Sequence, residues 1–312
     1  METKNILITG VGGFIGYNLL KRITPRHHVI AIDKMDIPME TTVKPDFIVK
    51  GDLSNPNTFD LIKERIDVIY HFGSISSIRQ YEGNLLPGSV DTLSSFINVM
   101  EFARKNQVSS VIYPSSGTVY GNTSSSVERK ISPVNIYGAM KYSSELIANL
   151  YANYFQTIGL RIFMGYGDGE ERKGDFASPV YLFMEKILRD QQPVVWGDGT
   201  QSRDLIYIDD IVEILDKCLS IKNENLVFDV GTGHRTNFIS IIDQVNEITN
   251  KNIKPIFVPK PNNYLETTTA DPRFMIELLG RNPINSAAGI RKFYDYLIQL
   301  PGRMHAEKGR LS

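Results

Sequence analysis

Apolar residues in the first half of the chain form short unbroken runs, separated by longer stretches with a helical repeat. NILIT (5–9), HVIAID (28–33), DFIVKGD (46–52), DVIYHF (67–72), SSVIYPS (109–115) and LRIF (160–163) are apolar at both alternating positions. That is the pattern of parallel strands covered on both faces. Segments 14–24, 56–65, 88–105 and 135–155 between them read as helices. Such alternation predicts an α/β fold with a doubly wound parallel sheet. The rhythm changes after Gly165. A charged, glycine-rich loop (GYGDGEERKGD), a helix at 178–190 and a turn at 197–200 precede two strands, DLIYI (204–208) and LVFDV (226–230). Both strands are expected to return to the main sheet. Helices follow near 237–249, 272–280 and 286–299. The expected division is a doubly wound domain over 1–164, rejoined by 204–230, and a smaller C-terminal α/β domain over 165–312. SSGTVYGNTSSS (115–126) reads as a loop beyond a strand end.

Composition narrows the classes. Thirty-four Lys+Arg against 35 Asp+Glu give a net charge of −1, so no basic excess draws a nucleic acid or an anionic membrane surface. A single cysteine, Cys218, makes neither an internal disulfide nor a zinc cluster; no metal site is expected, and a reducing cytoplasm fits. The start METKN has no basic n-region, and no apolar run approaches the ~18 residues of a membrane span.

TGVGGFIG (9–16) directly follows the first strand and opens a helix, with Gly10, Gly13 and Gly16 evenly spaced. Glycines there permit a tight turn and close approach of a pyrophosphate, which Phe14 and Ile15 meet at the amino end of the helix. Asp33 closes the second strand, where a carboxylate accepts from both adenosine ribose hydroxyls. It repels a 2′-phosphate and so favours NAD over NADP, a preference that neighbouring Lys34 opposes. Asp52 and Leu53, after the third strand, fall where an adenine edge rests. A Rossmann-like dinucleotide site is the reading these features share.

Tyr137 and Lys141 stand four apart, on one face of a helix. With 15 Tyr and 18 Lys in 312 residues, chance alone gives about one such pair, and Tyr17 with Lys21 is another. Context separates them. Tyr17 lies in the helix beneath the glycine turn, whereas Tyr137 follows the fifth strand and reaches the carboxyl edge of the sheet, where such folds bind ligands. The fifth strand delivers Ser115, Ser116 and Thr118 to the same edge. A free tyrosine titrates near 10. The Lys141 ammonium together with a positive nicotinamide ring is expected to bring Tyr137 towards 7, so that it removes a proton from a substrate hydroxyl.

TGVGGFIG, SSGTVYG, YGAMK, LRIF…YG and GDGTQSRDLIYIDDI together resemble the extended short-chain dehydrogenase/reductases, within them most of all the UDP-galactose/UDP-N-acetylglucosamine 4-epimerases. The resemblance runs from residue 5 to about 280. It implies Tyr137 as acid/base, Lys141 as its partner on the nicotinamide ribose, and Ser116 bridging Tyr137 and the sugar O4. It also implies NAD as a tightly held cofactor lined by Phe72, Gly73, Ser74, Ser115 and Phe163. A UDP-sugar substrate would meet Thr118, Met164, Val194, Trp196, Arg203, Lys260 and Thr268, with Trp196 against the base and Arg203 on the diphosphate. A homodimer through helices 88–105 and 135–155 follows from the same likeness.

Some positions depart from it. Met164 stands where these epimerases carry Asn, Pro114 where they carry a small residue, and Lys260 is the cation nearest a missing Arg. Thr267, Thr268 and Thr269 replace a bulky Tyr and leave room for an N-acetyl group. Gly117 and Thr118 occupy the place of the acidic residue that dehydratases and decarboxylases need, which argues against both. A 4-keto-sugar reductase using NAD(P)H needs the same three side chains and remains the alternative enzyme; a sensor that binds without turnover is the non-enzymatic one.

Overall fold

The computed structural model describes residues 2–36, 43–122, 130–222, 224–261 and 264–300. In chain order the first elements are β1 (Asn5–Thr9), α1 (Phe14–Ile23), β2 (His28–Asp33), β3 (Phe47–Lys50), β4 (Val68–His71), α2 (Leu85–Lys105), β5 (Ser110–Ser116), α3 (Ile136–Tyr151) and β6 (Gln156–Ile162). There follow β7 (Met164–Tyr166), α4 (Pro179–Leu188), β8 (Val194–Trp196), β9 (Ser202–Tyr207), α5 (Ile208–Cys218) and β10 (Leu226–Val230). The last are β11 (Arg235–Asn237), α6 (Phe238–Thr249), β12 (Ile256–Val258), α7 (Arg273–Leu279) and α8 (Ser286–Gln299).

Among the described residues seven strands form one parallel sheet in the order β10-β6-β5-β4-β1-β2-β3. Chain direction across the sheet reverses between β1 and β4, where a crevice opens at the carboxyl ends. Apolar residues at every strand position are explained by two cores. Ile6 and Ile8 of β1 pack with Leu19 and Leu20 of α1 and Ile211 and Leu215 of α5. Leu7, between them in sequence, packs on the other face with Phe96, Val99 and Met100 of α2. Strands β1, β2, β4 and β5 thus serve both layers.

Three expectations are corrected. The strand foreseen at 46–52 is only Phe47–Lys50 at the sheet edge; Phe47 and Ile48 are 43% and 51% exposed and Val49 alone is buried. The helix foreseen at 56–65 is a short tight turn over Pro56–Leu61, because Ile62 returns to extended backbone and enters the core with Ile66. The 204–208 strand does not return to the main sheet. β10 occupies the free edge of β6, while β9 pairs with β7 and β11 in a separate three-stranded sheet and runs directly into α5. Residues 123–126 of the foreseen polar loop and the 301–312 end of the second domain lie outside the described residues. No described helix is long and apolar enough to cross a membrane.

Candidate active site

A cleft of about 1080 Å³ opens along the carboxyl ends of β1, β2, β4 and β5 and continues to β7, β8 and β9. Its floor is the turn between β1 and α1. Gly10 has φ +72°, and a Cβ on it would lie 2.4 Å from backbone atoms of Phe72 and Gly73; one on Gly16 would lie 2.3 Å from the Gly10 carbonyl. Glycine is therefore required for α1 and the β4 turn to meet. The helix starts at Gly13 with no side-chain cap, so its first N–H groups remain as donors at the cleft floor. The Asp33 carboxylate accepts Gly12 N–H and Met35 N–H, both at 2.8 Å. Each of its oxygens can accept again. This backbone cradle with a carboxylate at its edge fits a dinucleotide.

Lys34 is exposed, with Nζ 3.8 Å from Asp52 and 3.9 Å from Asp91, so its charge is shared between two carboxylates. The Asp52 carboxylate accepts the Ser54 N–H (2.9 Å) and hydroxyl (2.8 Å), and these bonds lower its pKa. Leu53, Phe72, Gly73 and Phe163 also line the cleft. A Cβ on Gly117 would sit 2.6 Å from the Phe163 ring, so glycine there lets the ring in.

Asn135 caps α3 by accepting the Gly138 N–H at 2.9 Å, and Gly138 lies close against the Thr118 carbonyl. The start of α3 is thereby seated on the turn that follows β5, with Tyr137 beside Ser116. Ser116 Oγ accepts from the Thr118 N–H (3.2 Å) and hydroxyl (3.0 Å). Its closeness to Tyr137 favours the phenolate. Lys141 is buried; Nζ donates to Ser74 Oγ at 2.8 Å and lies 5.6 Å from the centre of the Tyr137 ring.

In the chain alone the phenol shifts the other way. Burial pushes Tyr137 up to about 12, against the pull of Ser116. The same burial lowers Lys141 to about 8, and its ammonium is directed at Ser74. One turn of helix does bring the pair together, and desolvation sets the sign of the phenol's shift. The decoy Tyr17 is buried in α1 with the Arg172 guanidinium 3.9 Å from its ring centre, outside the cleft wall.

Towards the other end, Trp196 and Tyr264 meet edge to face with centres 5.8 Å apart. Arg203 is buried between the rings of Phe238 (5.4 Å) and Tyr264 (5.2 Å), and its Nη1 donates to the carbonyls of Ser202 and Glu266. Burial lowers its pKa. Met164, Thr118 and Thr268 line the same wall.

Two foreseen residues stand elsewhere. Val194 is 49% exposed at the outer end of β8, away from the cleft lining. Lys260 is exposed and ion-paired with Glu266. Ser115 does line the cleft, but its hydroxyl points to the far side of β5, where it donates to Glu145. The reading missed Tyr264 and Arg79, which also line the cleft. Tyr264 sits in a polar loop whose sequence carries no signal of an aromatic partner.

Fold and cleft together define the class, a dinucleotide-dependent enzyme. Residues 6–231 match the NAD dependent epimerase/dehydratase family, and the chain belongs to it. The UDP-glucose 4-epimerase of Mycolicibacterium smegmatis is 27% identical over 93% of this chain and 97% of its own. The UDP-glucose 4-epimerase of Thermotoga maritima, solved with UDP-glucose, superposes with TM-score 0.87 at 24% identity, covering 94% of this chain and 98% of that one. The UDP-glucuronic acid 4-epimerase of Bacillus cereus, solved with UDP-glucuronic acid and NAD, gives TM-score 0.81 at 26% identity, covering 95% and 99%.

Proposed function

We propose that the chain is an NAD-dependent nucleotide-sugar 4-epimerase that interconverts UDP-hexoses, UDP-glucose with UDP-galactose and their N-acetyl forms, through a transient 4-keto sugar. One observation carries the reading: Ser116, Tyr137 and Lys141 converge where the glycine-turn end of the cleft meets the Arg203 end. Gly10, Gly13 and Gly16, with the amides of Phe14 and Ile15, hold the cofactor diphosphate, and Asp33 holds the ribose. Lys34 is already matched by Asp52 and Asp91, which favours NAD over its 2′-phosphorylated form. When bound, oxidised NAD would accept a hydride from the sugar and give it back to the opposite face of the keto sugar, and its positive ring would favour the phenolate. Tyr137 takes the proton from O4 while Ser116 holds that oxygen. After the keto sugar turns over, Tyr137 returns the proton and the configuration at C4 is inverted. Arg203 grips the UDP diphosphate, Trp196 and Tyr264 bracket the base, and the small Thr268 leaves room for an N-acetyl group.

The same reading assigns residues 1–164 to the cofactor and residues from 165 onward to the sugar nucleotide. It makes the protein a cytoplasmic homodimer. Leu86, Val90 and Ile97 along α2 and Leu146 and Leu150 along α3 are exposed apolar residues at helical spacing, suited to pairing with a second copy. Sedimentation tests the dimer. The activity is tested by incubating the protein with UDP-glucose, UDP-N-acetylglucosamine or UDP-glucuronic acid without reductant and following C4 epimers by NMR. Turnover seen only with NAD(P)H and a 4-keto sugar replaces the epimerase with a reductase.

A further inference from the structure

We propose that Glu145 is a positioning residue: through Ser115 and Arg161 it fixes the end of β5 that carries Ser116 against the helix that carries Tyr137, and ties both to the segment carrying Thr268. The proposal rests on the epimerase reading above. Tyr137, Lys141 and Glu145 recur every four residues along α3 and share one face. The first two reach the cleft; Glu145 lies one turn beyond Lys141 and is buried. Its carboxylate accepts from the Ser115 hydroxyl (2.5 Å), from Arg161 Nε (2.9 Å) and from Arg161 Nη2 (2.6 Å). Arg161 Nη1 donates to the Tyr120 hydroxyl (2.6 Å), and Tyr120 in turn donates to Asp229 Oδ1 (2.7 Å). The second Asp229 oxygen accepts the Asp271 N–H at 2.9 Å. The Tyr120 ring lies 5.0 Å from the guanidinium and stacks at 6.5 Å on Phe163, a residue of the cleft wall. One hydrogen-bonded chain thus begins beside Ser116 and ends just beyond Thr268.

A buried ion pair is a poor stabiliser, since desolvation offsets most of its Coulomb attraction and apolar residues would fill the space as well. What the pair does supply is direction. Successive strand side chains point to opposite faces. Pinning the Ser115 hydroxyl on the far side of β5 therefore aims Ser116 Oγ at Tyr137. A shift of about 1 Å at such a contact is worth up to two orders of magnitude in rate.

Ser115→Ala removes the β5 end of the chain and leaves the Glu145–Arg161 pair whole. It should lower kcat for UDP-hexose epimerisation on the order of tenfold, with KM and NAD content near wild type. Glu145→Gln should lose at least as much, and the double variant no more than Glu145→Gln alone, because both act through one bond. All are assayed well below their melting temperatures. Full kcat in Ser115→Ala, or losses that multiply, overturns the proposal. A second readout needs no turnover: in Glu145→Gln, amide hydrogen exchange should rise together at 116–120 and 267–271 while β1 and β2 stay protected. A uniform rise across the sheet means a merely structural role and overturns the proposal. If the wild type epimerises no UDP-hexose, the epimerase reading fails, and the exchange pattern still decides whether the coupling exists.

Discussion

The two ends of the cleft are built by opposite means. Around the glycine turn the surface is backbone: Gly10 and Gly16 lie so close to neighbouring backbone that no Cβ fits, and Asp33 is held by two amides. Around Arg203 the surface is side chain: Trp196, Arg203, Tyr264 and Thr268 arrive from β8, β9 and the segment before α7, and the Tyr264 ring meets both Trp196 and Arg203. A backbone site has one geometry and tolerates almost no substitution. A side-chain site is retuned one residue at a time. On the proposed function, the cofactor end is therefore fixed by the fold, and the sugar end is where specificity is set.

The seam between them should be the most sensitive point. Tyr137→Phe removes the proton carrier and leaves the ring, so kcat should fall by roughly a thousandfold, within the range for loss of a general acid–base group. NAD released by denaturing the purified variant should match wild type. Tyr17→Phe, which has the same sequence spacing to a lysine, should leave turnover intact. Loss of activity in Tyr17→Phe instead would put the chemistry in the wrong helix.

Next comes the cofactor end. In Gly16→Ala the new methyl would lie 2.3 Å from the Gly10 carbonyl, a contact that only backbone movement relieves. We expect a cost of about 3 kcal/mol, the upper part of the range for overpacking, read as a lower melting temperature. The purified variant should also have lost NAD. Full NAD content at an unchanged melting temperature would show that the turn is not the rigid cradle described.

These two ends were not equally legible in the sequence. The glycine turn, Asp33 and the strand order are local: the spacing that signals them is also the geometry that builds them. Tyr137, Lys141 and Ser116 were legible as a trio because the helix repeat and the strand end converge on one edge. The sign of the Tyr137 shift was not, because desolvation depends on everything packed around the phenol and not on its neighbour at four residues. Val194 and Lys260 were misplaced for a related reason. Strand β8 is three residues long, so alternation gives little hold on which side chains face the cleft, and Lys260 meets Glu266 only through the loop's own fold. The same limit hid the destination of β9, which depends on which strand takes the edge of β6.

Acid should separate the two ends. His71 of β4 is buried, its Nδ1 at 2.8 Å from the hydroxyl of Thr9, the residue before the glycine turn. Burial lowers it to about 3 from an ordinary 6.5. The unfolded chain therefore binds the extra proton between those values. Stability from this group is present above pH 6.5 and lost as the pH falls below it, by about 3 kcal/mol at pH 4. Asp204 of β9, beside Arg203, has the opposite sign: burial raises its pKa, so protonation on acidification favours the fold there. Denaturant midpoints from pH 7 to 4 should fall steeply in wild type and less steeply in His71→Asn, which keeps a partner for Thr9. Equal slopes would remove His71 as the cause.

The smallest effect expected is at the sugar end. Arg203→Lys keeps the positive charge and loses the planar fork, so a diphosphate held by two parallel bonds is left with a point charge. A lysine also gives up the stacking between Phe238 and Tyr264 that now holds the guanidinium flat in the cleft wall. KM for the UDP-sugar should rise about tenfold, roughly 1.4 kcal/mol, with kcat little changed, since the lost contacts are made equally in ground and transition states. NAD content should be untouched, because the cofactor cradle shares no side chain with this wall. Should Arg203→Lys shed NAD as readily as Gly16→Ala, the two ends would be one cooperative unit, and the contrast between a fixed cofactor end and a tunable sugar end would not hold.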